Sequence, residues 1–379
     1  MPLTARHLDA AAVDKLAARI ERDVAEGLLP AAQFALALDG EIVEERVFGT
    51  AGPDTRFCLF SATKPFVAST VWHLIGAGEL DPAKPVTTWF PAFGANGKEA
   101  ITLEQVMLHT SGFPAAPMGP AHWGDRATRQ ERMASWRLNW EPGTRYEYHP
   151  TAAHWVLAEL IETVTGRDFR EAVHELVTGP LGLPRIVGIP LDDQDDIADL
   201  QLVGDPATPD ELVAAFGVSE LPVTEVTDEA VVRFNEPDTR AVGVPGGGGF
   251  ARAVDVARFY QHLLHPGDRQ AHDVWPADLL RDVTTNVRNR LADPAGTPAN
   301  RTLGLLVAGD DGFSHLRGFG RTVSPGTFGH NGAGGQIAWA DPATGLSFAF
   351  VTNGYDRHAV RQPRRTTALG SLAAVTVAA

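Results

Sequence analysis

Residues 55–80 read TRFCLFSATKPFVASTVWHLIGAGEL. An apolar run meets Ser61, and a helical pattern then continues to Gly76 or Gly78, where glycine ends it. If Ser61 opens that helix, Lys64 lies three residues on, about 60° around the axis and about 4.5 Å along it. The two side chains then share one face. A serine hydroxyl is a poor nucleophile until a neighbour takes its proton. A lysine does this when burial or another cation lowers its pKa from the reference of about 10.4. The helix start adds free N–H groups and a positive dipole end, both favourable to a developing oxyanion. Alone, S-x-x-K more often marks a helix-capping serine beside a surface lysine. Here Lys64 stands among Phe57, Leu59, Phe60, Phe66 and Val67 in a chain whose only lysines are Lys15, Lys64, Lys84 and Lys98, and no other serine has lysine at +3.

Outward from this segment, AAQFALALDG-EIVEERVFG predicts two strands joined at Asp39-Gly40, and GQIAWADPATGLSFAFVTNG predicts two more around Pro342-Ala343-Thr344-Gly345. Leu8, Val13, Leu16, Ile20 and Val24 recur near helical spacing, so the chain opens with an amphipathic helix. The Ala-rich tail from His358 reads as a closing helix. Between about 80 and 240 helical stretches such as TAAHWVLAELIETVTG alternate with Pro/Gly loops, and LDDQDDIADL reads as a solvated acidic loop. The expected fold class is therefore α/β (α+β): an antiparallel sheet built from both termini and flanked by helices, with a mainly helical second domain. The expected division is 1–75 and 240–379 against 76–239, with the site in the cleft between them.

Composition narrows the chemistry. The 379 residues are 44% hydrophobic and 21% charged, ordinary for a globular protein and without a membrane-length apolar run. The formal charge of −15 argues against nucleic acid and anionic membranes as partners. A single cysteine, Cys58, rules out an internal disulfide and a cysteine metal cluster. No metal and no cofactor is expected. The first residues lack a basic stretch followed by an apolar one, so a cytoplasmic location is the default expectation.

Two further segments carry candidate chemistry. Pro142-Gly143-Thr144-Arg145-Tyr146-Glu147-Tyr148 delivers tyrosines just before the helix from Thr151, where a phenol can relay a proton beside a lysine. The plainer reading is two half-buried core tyrosines. Phe328-Gly329-His330-Asn331-Gly332-Ala333-Gly334-Gly335 leads into a strand. Its glycines permit close approach of backbone to a ligand, and a backbone N–H there could complete an oxyanion hole. A plain glycine-rich turn with a satisfied histidine is the alternative.

S-x-x-K, then a tyrosine before a helix, then a His-x-Gly strand together resemble the serine β-lactamase and penicillin-binding-protein superfamily. The similarity is greatest to the class C β-lactamase-related branch that includes family VIII carboxylesterases and D-aminopeptidases. It extends from about Leu28 to Asn353, through LLPAAQFALALDGEIVEERVFG, DTRFCLFSATKPF, ITLEQVMLHTSGFP, EPGTRYEY, GGGGFARAVDVARF and GHNGAGGQIAWADPATGLSFAFVTN, in family order. The resemblance implies a β-lactamase/transpeptidase-like fold, with Ser61 as the acylated nucleophile and Lys64 as its proton acceptor. Tyr148, rather than Tyr146, matches the family tyrosine that shares general-base work. Which of Lys64 and Tyr148 takes the serine proton stays open, since the two would titrate as a coupled pair. The implied oxyanion hole is the backbone N–H of Ser61 and of Ala333, with His330, Asn331 and Gly332 against substrate.

Two departures bear on substrate. Pro150 stands where β-lactamases carry an asparagine that holds the acylamino side chain, and His330-Asn331-Gly332 stands where Lys-Thr-Gly is usual. Proline offers no side-chain donor, and a histidine mostly neutral at pH 7 replaces a fixed cation. Esters need neither group. The expected function is a serine carboxylesterase acting on small or medium, fairly apolar esters. The alternatives are an amide hydrolase (D-aminopeptidase or weak β-lactamase), an acyltransferase, or a catalytically dead relative. Trp89, Trp123, Trp136, Trp140 and Trp155 could line an acyl pocket, although each alone is more often core. An α/β-hydrolase is disfavoured because no G-x-S-x-G occurs, and a zinc protease because H-E-x-x-H is missing. Ser111 of the HTSG stretch reads as structural.

Overall fold

Asp39 and Gly40 both take positive φ, 50° and 95°, the backbone of a tight hairpin turn that aspartate and glycine tolerate better than most residues. In the computed structural model, which describes residues 6–221, 226–265 and 267–378, that turn joins β1 (Ala31–Leu38) to β2 (Glu41–Gly49), Ala31 opposite Gly49 and Leu38 opposite Glu41. The far end of the chain supplies β3 (Leu306–Val307), β4 (Phe328–Gly329), β5 (Ile337–Asp341) and β6 (Leu346–Thr352). These form one antiparallel sheet in the order β2-β1-β6-β5-β4-β3. The expected sheet built from both termini is present, as is the second hairpin, in which Asp341 pairs with Leu346 across 342–345.

Five helices matter for the site: α1 (Ala10–Ala25), α2 (Lys64–Gly76), α3 (Ala152–Thr165), α4 (Ala253–Leu264) and α5 (Arg361–Ala374). Strand alternation sorts them. Phe34, Leu36 and Leu38 of β1 share a face with Trp339, Phe348 and Phe350, and this bulky face packs on Val13, Leu16 and Ile20 of α1 and Leu369 and Ala373 of α5. The opposite face carries Ala31, Ala35, Ala37, Ala338, Ala340 and Ala349 and joins the core that holds α2, α3 and α4. Small side chains there let α4 lie close on the sheet. Helix α2 is buried almost all round, with Phe66, Val67, Val71 and Trp72 fully enclosed, as a core helix must be. Truncating Trp72 to alanine is expected to cost about 3–5 kcal/mol.

Among the described residues between 76 and 239 the only named strand is Gln201–Val203, which pairs in parallel with Gly354–Asp356. The rest are helices, short 3₁₀ turns and loops. The aspartates of the acidic loop are exposed, as expected, and two of them also make contacts with Arg56. Asp196 and Asp193 close on the buried Arg56, whose Nε donates to Asp196 Oδ1 at 2.8 Å. A buried guanidinium needs such partners, and this pair anchors the chain just ahead of Ser61.

Candidate active site

The segment leading to Ser61 is held from both sides. Phe57 and Cys58 pair with Ala251 and Phe250, and Leu59 N–H donates to Gly249 O at 2.8 Å. The chain then turns through a 3₁₀ helix, Phe60–Thr63, into α2. Phe60 sits at φ 46°, a left-handed conformation that costs a bulky residue about 1–3 kcal/mol. Edge-on contacts of its ring with Phe234 and Tyr355, at 5.7 and 5.8 Å, hold it there. Ser61, half-buried, follows directly.

Lys64 is fully buried. Its Nζ lies 3.3 Å from Ser61 Oγ and donates to Pro150 O at 2.7 Å and Gly246 O at 2.6 Å. Burial alone does not single it out, because Lys98 is equally enclosed and serves three backbone carbonyls. Contact with a serine does. Gly246 is required at its position, since a Cβ would stand 2.8 Å from Pro150 O and 3.4 Å from Lys64 Nζ.

Tyr148 OH donates to Ser61 Oγ at 2.9 Å, and its ring lies 5.1 Å from Lys64 Nζ. Its loop is stitched to the HTSG stretch: His149 N–H donates to His109 Nδ1 at 3.1 Å, and Phe113 N–H donates to His149 Nε2 at 3.2 Å. Because Nε2 accepts, the proton of His149 sits on Nδ1 and is donated to Glu147 O at 2.7 Å. Burial pushes His149 down to about 4 and holds His109 well below the usual histidine range, so both rings are neutral fasteners at pH 7. Ser111 lies buried 3.1 Å from His149 Nε2 and belongs to the same fastening. His109 and His149 are the residues that sequence reasoning missed; the HTSG stretch was the available signal.

Tyr146 is a separate matter. Its hydroxyl accepts from Arg301 Nε at 3.0 Å, and Tyr148, not Tyr146, meets the serine.

His330 follows β4, its N–H donating to Ala338 O at 3.1 Å and Tyr260 OH at 3.0 Å. Burial holds the imidazole well below its ordinary value, so it carries no charge at neutral pH. Its ring lies 5.9 Å from that of Tyr148. The amide of Asn331 is spent on backbone, with Nδ2 on Gly318 O and Oδ1 accepting from Ala338 N–H. At Gly332 a Cβ would stand 2.1 Å from Leu59 O, so only glycine lets the 330–335 strand end press against the segment leading to Ser61. Gly332→Ala is expected to lower stability by about 1–3 kcal/mol. It should also slow turnover by about 100-fold, because displacing a reacting group by about 1 Å costs that much. A urea melt and kcat on the purified variant test both, and an unchanged pair would refute the close-approach argument.

Two lobes meet at Ser61, Pro150, Val226 and Ala333. One, of about 400 Å³, is lined by Phe60, Met118, Trp123, Val226, Phe234 and Val244. The other, of about 480 Å³, holds Tyr148, His330, Asn331, Arg301 and Leu316. Of the five tryptophans considered from sequence only Trp123 borders these lobes. Trp136 and Trp155 are core, and Trp140 lines a different cavity beside Tyr146. Indole surface in the helical region is mostly consumed by packing. Among the described residues no group of three or more His, Cys, Asp or Glu could hold a metal ion, and no helix is long and apolar enough to cross a membrane.

A family model described as Beta-lactamase matches residues 16–372. The chain is 30% identical over 350 residues to the esterase/beta-lactamase LipL of Mycobacterium tuberculosis, covering 84% of this chain and 76% of that protein. It is 30% identical to esterase EstB of Burkholderia gladioli, with coverage of 92% and 93%. Among solved structures, a penicillin-binding-protein homologue from Caulobacter crescentus superposes with a TM-score of 0.75 at 26% identity, over 96% of this chain and 98% of that one. The chain belongs to the beta-lactamase family and is a serine hydrolase of that superfamily.

Proposed function

We propose that the protein cleaves carboxylic esters through an acyl-enzyme on Ser61, with Lys64 and Tyr148 as a general-base pair. One observation carries the reading: Ser61 Oγ is reached by both Tyr148 OH (2.9 Å) and Lys64 Nζ (3.3 Å) where two lobes of the cavity join. The serine oxygen attacks the ester carbonyl and its proton passes to the pair. The tetrahedral oxyanion is held by the N–H groups of Ser61 and Ala333. Collapse expels the alcohol, protonated by Tyr148, and leaves the acyl group on Ser61. Water, deprotonated by the same pair, then releases the acid.

Tyr148 lines only the larger lobe, and the leaving alcohol must meet its proton donor. The larger lobe therefore takes the alcohol, and the lobe of Phe60, Met118 and Phe234 takes the acyl chain. Proline at 150 and an uncharged His330 offer neither an acylamino donor nor a cation from those positions, which favours esters over β-lactams. The esterase names of LipL and EstB agree with this reading. The test compares p-nitrophenyl butyrate, D-alanine p-nitroanilide and a chromogenic cephalosporin on one preparation. The ester's kcat/KM should exceed the other two by about 100-fold or more. A faster anilide would make the protein an amidase, and a faster cephalosporin a β-lactamase.

A further inference from the structure

The site contains a buried charged side chain, without an ion pair among the described residues, that the reaction just described does not use. Arg301 is 2% exposed and lines the alcohol lobe. Its Nε donates to Tyr146 OH, and its guanidinium carbon lies 5.2 Å from the centre of the Tyr148 ring. Among the described residues its Nη1 has no hydrogen-bond partner, and no carboxylate forms an ion pair with it. Arg317, which lines the same lobe, shows the usual arrangement, with Nη1 donating to Asp311 Oδ1 at 2.8 Å. Enclosing a guanidinium without a counter-anion is costly. A chain does not keep such a group beside its nucleophile unless a negative charge appears there.

We propose that Arg301 is the fixed cation of this site: it favours the anionic form of the Tyr148 phenol, the form that takes the serine proton, in place of a lysine at the position of His330. The inference rests on Tyr148 being half of the base pair. Arg301 acts through Tyr148 and is a positioning residue.

The groups facing Tyr148 support this assignment. Lys64 approaches from α2, His109 from the HTSG stretch with ring centres 4.9 Å apart, and His330 from the end of β4. After burial, the charge of Arg301 is the next largest cause holding both His109 and His330 below their ordinary values. Both rings stay neutral, which leaves the Arg301 guanidinium and the Lys64 amine as the basic groups described against the phenol. Asp293, on the same lobe, is turned to its own loop, its Oδ1 accepting from Ala295 and Thr297 N–H at 2.9 and 2.8 Å. The proton balance is complete: the phenolate receives the Ser61 proton during attack and gives it to the departing alkoxide.

The chain has four tyrosines, so the ultraviolet tyrosinate titration of the wild type minus that of Tyr148→Phe isolates Tyr148. In Arg301→Gln, which keeps an N–H donor for Tyr146, that titration and the acid limb of kcat/KM for p-nitrophenyl butyrate should both move up by about one pH unit or more. Arg301→Lys should restore most of the shift. A folded Gln variant with both curves unmoved would overturn the proposal. So would a wild-type Tyr148 titration at or above that of free tyrosine, a reading that needs no Arg301 variant. The base-pair reading fails separately, if Tyr148→Phe keeps full activity.

Discussion

Ser61→Ala is expected to reduce hydrolysis of p-nitrophenyl butyrate by about 10⁴-fold or more, because no covalent intermediate can form and only binding and oxyanion stabilisation remain. The fold should barely notice. Ser61 is half-buried and contributes one hydroxyl to the bond from Tyr148, so the stability change is about 1 kcal/mol or less. A fluorophosphonate probe should label the wild type once, at position 61, and the variant not at all. The other serine beside the site region, Ser111, is buried against His149 Nε2 and far less open to a reagent. Unchanged turnover by the folded variant would end the assignment, and label at Ser111 would move the nucleophile there.

The proposed nucleophile and its lysine could be picked out because their spacing is local. Ser61 and Lys64 sit one turn apart, and helical geometry alone brings them to 3.3 Å. The hairpins were legible for the same reason, since Asp39-Gly40 and Thr344-Gly345 advertise the backbone they must adopt, with Gly345 at φ 73°. The two-faced sheet is written in AAQFALAL, alanine or glutamine alternating with larger residues. The proposed acid–base partner was legible only by resemblance. Tyr148 and Tyr146 differ in nothing local, and the choice between them is made in space by His109 and His149, which pin the loop so that one phenol meets the serine and the other meets Arg301.

What stayed hidden depends on contacts distant in sequence. Arg301 belongs to no motif; it reaches the site because it bridges Asn289 and Leu306, and Leu306 pairs with Gly329 just ahead of His330. The lobe proposed for the acyl chain mixes Phe60, Met118, Trp123 and the stretch from Val226 to Phe234, pieces whose meeting no periodicity announces. The tryptophans misled for a related reason. A large ring near a cleft is as useful to the core as to a ligand, and Trp155 is enclosed against Phe169. The acidic loop carried a partner, Arg56, that lies more than a hundred residues away.

Tyr148→Phe and Tyr146→Phe remove the same atom from neighbouring rings, so their contrast isolates what the hydroxyl does. The Tyr148 hydroxyl stands 2.9 Å from the attacking oxygen, and the loss of a positioned proton carrier typically costs about 10²–10⁴-fold. The Tyr146 hydroxyl is an acceptor for Arg301 at 3.0 Å, so its removal should change kcat by no more than about tenfold while loosening the buried arginine. The two variants should also differ in which step slows. Without the Tyr148 proton the alkoxide leaves poorly, so esters with a basic leaving group, such as ethyl butyrate, should suffer more than p-nitrophenyl butyrate, whose phenolate departs unaided. Tyr146→Phe should slow both esters alike. If Tyr146→Phe proves the more damaging change, or if the Tyr148 variant shows no dependence on the leaving group, the proton does not travel through Tyr148 and Lys64 must carry it alone.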